Sequence, residues 1–178
     1  MSDQPTTFDL ASLPAELGAS RALAVRLYLF PLHLAGQDYR FIPETVPAKL
    51  NVTFVGEGYT AKLEFSCRIE GACWRCLEPA DLDLDVSAED FFETRMPAVA
   101  ERGQEDEASL WLMEDGILNL SEWALSAIAG LLPPQILCRE DCRGLCPQCG
   151  ANLNLAECDC EPPLDERWGK LREWKASD

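Results

Sequence analysis

The chain has 178 residues, 47% of them hydrophobic, with 31 acidic against 15 basic side chains and a net charge of −16. That length suits one ordinary domain with a small appendage, and the apolar fraction is enough to bury a core without cross-links. A surface this acidic repels a phosphate backbone except where a local basic patch reverses the field, and its long-range attraction is towards basic partners.

The opening Met1-Ser2-Asp3-Gln4 has neither the basic nor the apolar run of an export signal. The longest apolar stretch, Ala22 to Ala35, carries Arg26 and Pro31 and falls short of the roughly 20 residues a membrane span needs. A cytoplasmic protein with no membrane partner and no small-molecule substrate is therefore expected. In that reducing compartment the nine cysteines are not a disulfide framework, and closely spaced pairs point to metal.

Along the chain, Phe8 to Leu17 reads as a short capped segment with Asp9 or Ser12 as N-cap. Leu23 to Phe30 is rich in strand formers. Lys49 to Gly56 alternates Leu50, Val52 and Phe54 against Lys49, Asn51 and Thr53, and Tyr59 to Ile69 continues the pattern after a Gly-Glu-Gly turn. Leu82 to Phe92 places Leu82, Leu84 and Val86 on one face and Asp81, Asp83 and Asp85 on the other. Such alternation marks antiparallel sheet with one wet face. The acids have no calcium-loop spacing and read as a solvated face.

Met96 to Ala108 has no period and many charges, so a loop is expected. Charge is concentrated around it: twelve acids lie between Asp81 and Asp115 against Arg95 and Arg102 alone. Leu118 to Leu132 then reads as a helix capped by Ser121, with Trp123, Leu125, Ile128 and Leu131 at helical spacing and Pro133-Pro134 as its stop. Leu164 to Lys175 reads as a short amphipathic helix with Trp168, Leu171 and Trp174 on one side.

Two regions hold eight of the cysteines. Cys73-Trp-Arg-Cys76 lies in a turn that opens at Gly71 and closes at Glu78-Pro79, and a second set comprises Cys138, Cys142, Cys146, Cys149, Cys158 and Cys160. A two-residue spacer lets two sulfurs from one tight turn share a zinc ion, which takes four soft ligands in a tetrahedron. Cys146-Pro-Gln-Cys149-Gly150 resembles the rubredoxin-like knuckle, in which a small residue after the second cysteine lets backbone N–H groups approach the sulfur. Two zinc ions per chain are expected, and two groupings are open. Cys146, Cys149, Cys158 and Cys160 can close locally, with Cys73 and Cys76 taking Cys138 and Cys142. Alternatively Cys138, Cys142, Cys146 and Cys149 close together and leave Cys73 and Cys76 to find Cys158 and Cys160. The first is preferred because each site then uses contiguous pairs. Cys67 is left over as a buried strand residue.

Four-thiolate sites have no position for a reacting water, so their role is to hold shape. The catalytic inventory is otherwise thin: His33 sits in an apolar stretch, where a core position is expected, and there is no P-loop, dinucleotide fingerprint or zinc-protease helix. No enzyme is expected. Arg75, Arg139 and Arg143 flank the ligands, where they can offset the negative charge of the thiolates or contact RNA phosphate. Trp74 can stack on a partner or cover a core edge.

The run Cys73-Trp-Arg-Cys76-Leu-Glu-Pro, the leucine-rich helix ending in Leu-Pro-Pro, and Leu137-Cys-Arg-Glu-Asp-Cys-Arg-Gly-Leu-Cys-Pro-Gln-Cys-Gly-Ala-Asn-Leu-Asn154 resemble the YceD family, the large ribosomal RNA subunit accumulation proteins of bacteria and plastids. The resemblance runs from about Lys49 to Trp168. It implies a role in accumulation of large-subunit ribosomal RNA and in ribosome biogenesis, without a known enzymatic activity. Some members have the first cysteine pair and a pair matching Cys138 and Cys142 but lack the later knuckle, which supports the first grouping.

The expectation is thus an α+β fold, mostly antiparallel sheet with a central helix, a C-terminal helix and cysteine zinc sites. Residues 1–132 would form the sheet domain with its following helix, and 133–178 a cysteine-rich zinc-binding segment with the C-terminal helix packed on it. The leading function is a non-enzymatic assembly factor that binds a basic ribosomal protein or a large-subunit maturation factor. The alternatives are direct ribosomal RNA binding through Trp74, Arg75, Arg139 and Arg143, and a cysteine-based zinc or redox regulator.

Overall fold

The structure, a computed structural model, describes residues 4–93 and 116–160. The loop expected at Met96 to Ala108 and the helix expected at Leu164 to Lys175 lie outside them. The described elements are β1 (Thr7–Asp9), β2 (Ser20–Tyr28), β3 (Leu32–Leu34), β4 (Gln37–Phe41), β5 (Thr45–Phe54), β6 (Gly58–Ala72), β7 (Pro79–Glu93), β8 (Ile117–Asn119) and α1 (Leu120–Leu131). No helix among the described residues is long and apolar enough to cross a membrane.

Alternation builds the main sheet. In β6, Tyr59, Ala61, Leu63, Phe65, Cys67 and Ile69 are buried, while Thr60, Lys62, Glu64, Ser66 and Arg68 between them are not. A strand's side chains alternate faces, so this period commits one whole face to the core. Val46, Ala48, Leu50, Val52 and Phe54 of β5 do the same. β6 is the spine of the sheet: it pairs along its length with β7, from Gly58↔Glu93 to Ala72↔Pro79. Its other edge is taken first by β5, with Leu50↔Leu63 at the middle of the register, and then by β4 through Phe41↔Ile69. β2 lies outside β5 and β3 outside β4, and every pairing is antiparallel.

The expected strands are all present and run longer than read. β3 and β4, not anticipated, form a hairpin whose two-residue turn is Ala35 (φ 52°) and Gly36 (φ 78°). Positive φ at both positions marks the turn type whose twist suits two-residue hairpins. His33 belongs to this hairpin and corrects the expectation of a core histidine. It is exposed and pairs with Asp38 at 2.7 Å across the two strands. The alternation of Leu32, His33 and Leu34 placed the leucines inward and the imidazole outward.

α1 packs against β7, β1 and β2. Its N-cap is Asn119, whose side chain accepts from Glu122 N at 3.2 Å, and not Ser121. Ser121 is inside the first turn, fully buried, and its Oγ accepts from Thr6 N at 2.9 Å. Thr6 also accepts from Leu120 N at 2.9 Å and meets β2 through Arg26 O at 3.1 Å and Tyr28 N at 3.0 Å. At the other side, the Trp123 indole N–H donates to the Asp90 carboxylate of β7, and its ring stands edge-on to Phe92 at 5.6 Å. The helix therefore ties two edge strands, β2 and β7, to one core. Asp9 caps the short turn at Leu10–Ser12 by accepting from Ala11 N at 2.8 Å.

Candidate metal centres

The β6–β7 hairpin ends in a six-residue loop, Cys73 to Glu78, closed by Cys73 N–H to Glu78 O at 2.8 Å and Leu77 N–H to Cys73 O at 2.9 Å. After α1 and Pro133-Pro134 the chain returns to this loop, where Ile136 O accepts from Trp74 N at 2.9 Å. That return places Cys138 and Cys142 beside Cys73 and Cys76. The four sulfurs lie within 4.8 Å of one another, with Cys73 to Cys142 at 3.8 Å and Cys76 to Cys138 at 3.6 Å. These are not disulfide distances, which are about 2 Å. A zinc–sulfur bond of about 2.3 Å in a tetrahedron sets neighbouring sulfurs about 3.8 Å apart. The donor set thus fits zinc, and Cys73, Cys76 and Cys142 are buried.

The second cluster is local. Cys146, Cys149, Cys158 and Cys160 also lie within 4.8 Å of one another. Their knuckle is a small hairpin: Leu145 bridges Asn152, Cys146 N–H donates to Ala151 O at 2.8 Å, and Gly150 N–H donates to Cys146 O at 2.9 Å. Gly150 sits at φ 73°, the left-handed conformation that closes such a turn. Cys149 and Cys160 are exposed, so this outer cluster contrasts with the buried inner one.

Both knuckles treat their first sulfur alike. Burial pushes the Cys73 thiol up, yet the backbone N–H groups of Cys138, Cys76 and Arg75 overcome it and hold the thiol down at about 6. The N–H groups of Cys149 and Gln148 hold Cys146 at about 6 as well. Cys142 is held down too, since burial pushes it up but the Asn154 amide and the Gly144 N–H overcome it, whereas Cys138 and Cys160 go the other way. Burial and the neighbouring thiols push Cys138 up to about 12, and the Cys149 sulfur beside Cys160, with burial, pushes Cys160 up to about 12. The clusters thus favour thiolate at Cys73, Cys142 and Cys146 and resist it at Cys138 and Cys160 without a cation to offset the charge. Metal ligation needs all four as thiolates, so a divalent soft cation is the species that relieves this repulsion. Cys67 stands apart from both clusters in β6, its thiol pushed up to about 11 by burial, with Asp83 and Asp85 adding to it.

Large ribosomal RNA subunit accumulation protein YceD is the family that matches residues 61–175, which include every cysteine of both clusters. The chain belongs to this family. Among curated relatives, an uncharacterized protein of Mycobacterium tuberculosis is 29% identical over 188 residues, covering 95% of this chain and 81% of that protein. An uncharacterized protein of Mycobacterium leprae is 26% identical over 176 residues, covering 98% of this chain and 79% of that protein. No solved structure matches. The YceD family name connects this chain to accumulation of large-subunit ribosomal RNA.

The other singled-out residues surround the inner cluster. Trp74 is 48% exposed. Arg75, though exposed, donates from Nη1 to Cys142 O at 2.9 Å, and Arg139 is engaged by Asn154 at 2.7 Å and Asp141 at 3.4 Å. Arg143 is exposed, as are the neighbouring acids Glu78, Glu140 and Asp141. Two of the three arginines therefore hold the knuckles together. Two further residues escaped the sequence reading. Asn154 donates to Cys142 Sγ at 3.3 Å, a contact whose only sequence signal is an asparagine shortly after a knuckle. Gly144 sits at φ 75°, and a Cβ there would stand 3.0 Å from Arg75 O. Close approach of the two knuckles requires glycine at that point.

Replacing Gly144 with alanine is expected to destabilise the protein by about 1–2 kcal/mol from the left-handed backbone alone, plus the clash. Gly150→Ala shares the conformation, with φ 73°, but its Cβ would meet nothing within 4 Å. Thermal unfolding of the two variants should rank Gly144→Ala as the less stable. Equal midpoints would mean that the knuckles do not need this contact.

Proposed function

We propose that each four-cysteine cluster holds one structural zinc ion, and that the protein is a non-enzymatic cytoplasmic factor for large-subunit ribosomal RNA accumulation and ribosome biogenesis. The observation that carries this reading is the gathering of four sulfurs within 4.8 Å of one another in each cluster, which is the number of ligands a closed tetrahedral zinc site takes. A metal so enclosed organises the chain and leaves no place for substrate. Working contacts must then come from the surface.

The outer face of β7 is the surface that suits a basic partner. Asp81, Asp83 and Asp85 are exposed there; among the described residues Arg68 of β6 is the one cation paired with them, at 2.7 Å from Asp83 and 3.9 Å from Asp81, and the Ser66 hydroxyl donates to Asp85 at 2.6 Å. Such a row steers Lys- and Arg-rich proteins and loses its pull with salt. A basic ribosomal protein or a maturation factor is therefore the proposed partner. Direct RNA binding at the knuckles is less supported, since Arg75 and Arg139 are spent on protein contacts among exposed acids.

The test is depletion of the protein followed by measurement of the ratio of large- to small-subunit ribosomal RNA. A lower ratio is expected, restored by the wild-type chain and less well by the Asp81→Asn, Asp83→Asn, Asp85→Asn variant. An unchanged ratio on depletion would end the functional reading. Full rescue by the neutralised variant would remove the acidic face from it.

A further inference from the structure

Asn154 belongs to the outer cluster by sequence and to the inner one by contact. It lies between Cys149 and Cys158, just after the Leu145–Asn152 bridge. Its Oδ1 accepts from Arg143 N at 2.8 Å and from Arg139 Nη2 at 2.7 Å. Two donors on that atom assign the amide's orientation, because a flipped amide would set N–H against N–H. Nδ2 must then face Cys142 Sγ, and it does so at 3.3 Å.

The rest of the link runs the same way. Asn152 Oδ1 accepts from Asn154 N and from Asn154 Nδ2, both at 3.0 Å. Leu145 N–H donates to Arg75 O at 3.1 Å, and Leu153 N–H to Gly144 O at 2.9 Å. Every one of these bonds joins the outer knuckle to the inner one or braces Asn154 in place.

What holds this stretch in shape is not an apolar core. No residue from 147 to 160 is buried, and Leu155 is 82% exposed. Its order rests on the small hairpin and on the convergence of Cys146, Cys149, Cys158 and Cys160. A bound metal fixes the spacing of those four sulfurs, and with it the turn that presents Asn154.

The geometry points to thermodynamic coupling of the two metal centres through Asn154: occupation of the outer centre raises the metal affinity of the inner one. This inference rests on the two-zinc reading above. By linkage the inner metal raises the affinity of the outer by the same factor. Asn154 acts as a positioning residue, since its N–H stabilises the charged sulfur of a ligand without touching the metal. The competing effect has the opposite sign. Two four-thiolate zinc centres each carry a charge of about −2, and their mutual repulsion alone would make each weaken the other.

The experiment is a zinc titration of the full chain against a competing chelator. Occupancy of the inner centre is followed by the NMR signal of the Trp74 indole, which sits in the inner knuckle. It is run in four forms: wild type, Cys158→Ser with Cys160→Ser, Asn154→Ala, and all three changes together. Inner affinity is expected to fall about 10–100-fold when the outer ligands are removed from the wild type, the range for lost outer-sphere partners. In the Asn154→Ala background, the same removal should change inner affinity little. Asn154→Asp keeps the acceptor for the arginines but loses the N–H and brings a charge to the sulfur, so it should not rescue. With cobalt(II) as probe, the thiolate-to-metal band of the inner centre should shift in both Asn154 variants, which a general loss of stability would not produce.

Inner affinity that ignores or benefits from loss of the outer ligands would overturn the coupling. An equal fall with and without Asn154 would overturn its route. Fewer than two zinc ions on the wild-type chain would overturn the two-centre reading itself.

Discussion

Cys73→Ser is expected to remove one metal ion per chain and to unfold more than the loop that carries it. Cys73 is fully buried, closes the end of the longest hairpin, and joins it to the segment after α1 through Cys142 at 3.8 Å. Structural zinc contributes on the order of 10 kcal/mol of apparent binding free energy in small zinc domains, so losing even half of it would exceed the stability change of most single substitutions. Cys146→Ser removes one ion too, but from a cluster whose sulfurs are gathered between 146 and 160 and half exposed. The sheet should then melt well above the midpoint of Cys73→Ser, lowered from the wild type only by the share of inner-centre affinity that the outer centre supplies. Metal analysis and thermal unfolding of the two variants check both claims. Two ions retained by Cys73→Ser, or equal loss of midpoint in the two variants, would sink this division of labour.

Trp123→Ala is the second large effect, and it tests the core without touching a cysteine. The indole is 2% exposed, stands edge-on to Phe92 at 5.6 Å, and donates to Asp90. Truncation removes the largest fully buried side chain and leaves a cavity between α1 and β7, for a cost of about 3–5 kcal/mol. It also strips Asp90 of the N–H that meets its carboxylate. A fall in melting temperature on the order of 10 °C is expected, with both metal ions retained. Trp123→Phe keeps much of the ring volume and should recover most of the loss. A melting temperature within 2–3 °C of wild type, on the scale of roughly 1 kcal/mol, would mean that α1 is not what binds β7 to the core.

The two results together separate what holds the two ends of the molecule. α1 and Thr6 span the edge strands β2 and β7, so apolar burial governs that region. The tip of the β6–β7 hairpin has few buried apolar groups beyond its sulfurs, so on the two-zinc reading proposed above ligation would govern there. An acidic outer face then adds no stability of its own. Arg68 between Asp81 and Asp83 is an exposed pair set, and such pairs contribute little. Their disposition outward is what would leave them open to the basic partner proposed above.

The sequence by itself determined the features that arise within a few residues. The two-residue spacers put Cys73 with Cys76 and Cys146 with Cys149, because one tight turn suffices to bring two sulfurs together. Period-two alternation determined which faces of β5, β6 and β7 are wet, since successive side chains of a strand must point opposite ways. Pro133-Pro134 ended α1 because proline lacks the N–H that the next turn requires.

Only the tertiary structure decided what depends on where the chain returns. Cys76 meets Cys138 across 62 residues and Cys73 meets Cys142 across 69, and no local rule chooses those partners over Cys158 and Cys160. The choice follows from the length of the β6–β7 hairpin and from α1 delivering Ile136 to Trp74. The same dependence explains the cap of α1. Ser121 and Asn119 are equally plausible caps by type, and the contact with Thr6, 115 residues away, draws Ser121 into the helix and leaves the cap to Asn119. His33 faces out because its hairpin was closed by Ala35-Gly36, a turn that the apolar run concealed. Asn154 illustrates the limit most directly: its neighbours in sequence are the outer ligands, and the sulfur it serves is an inner one.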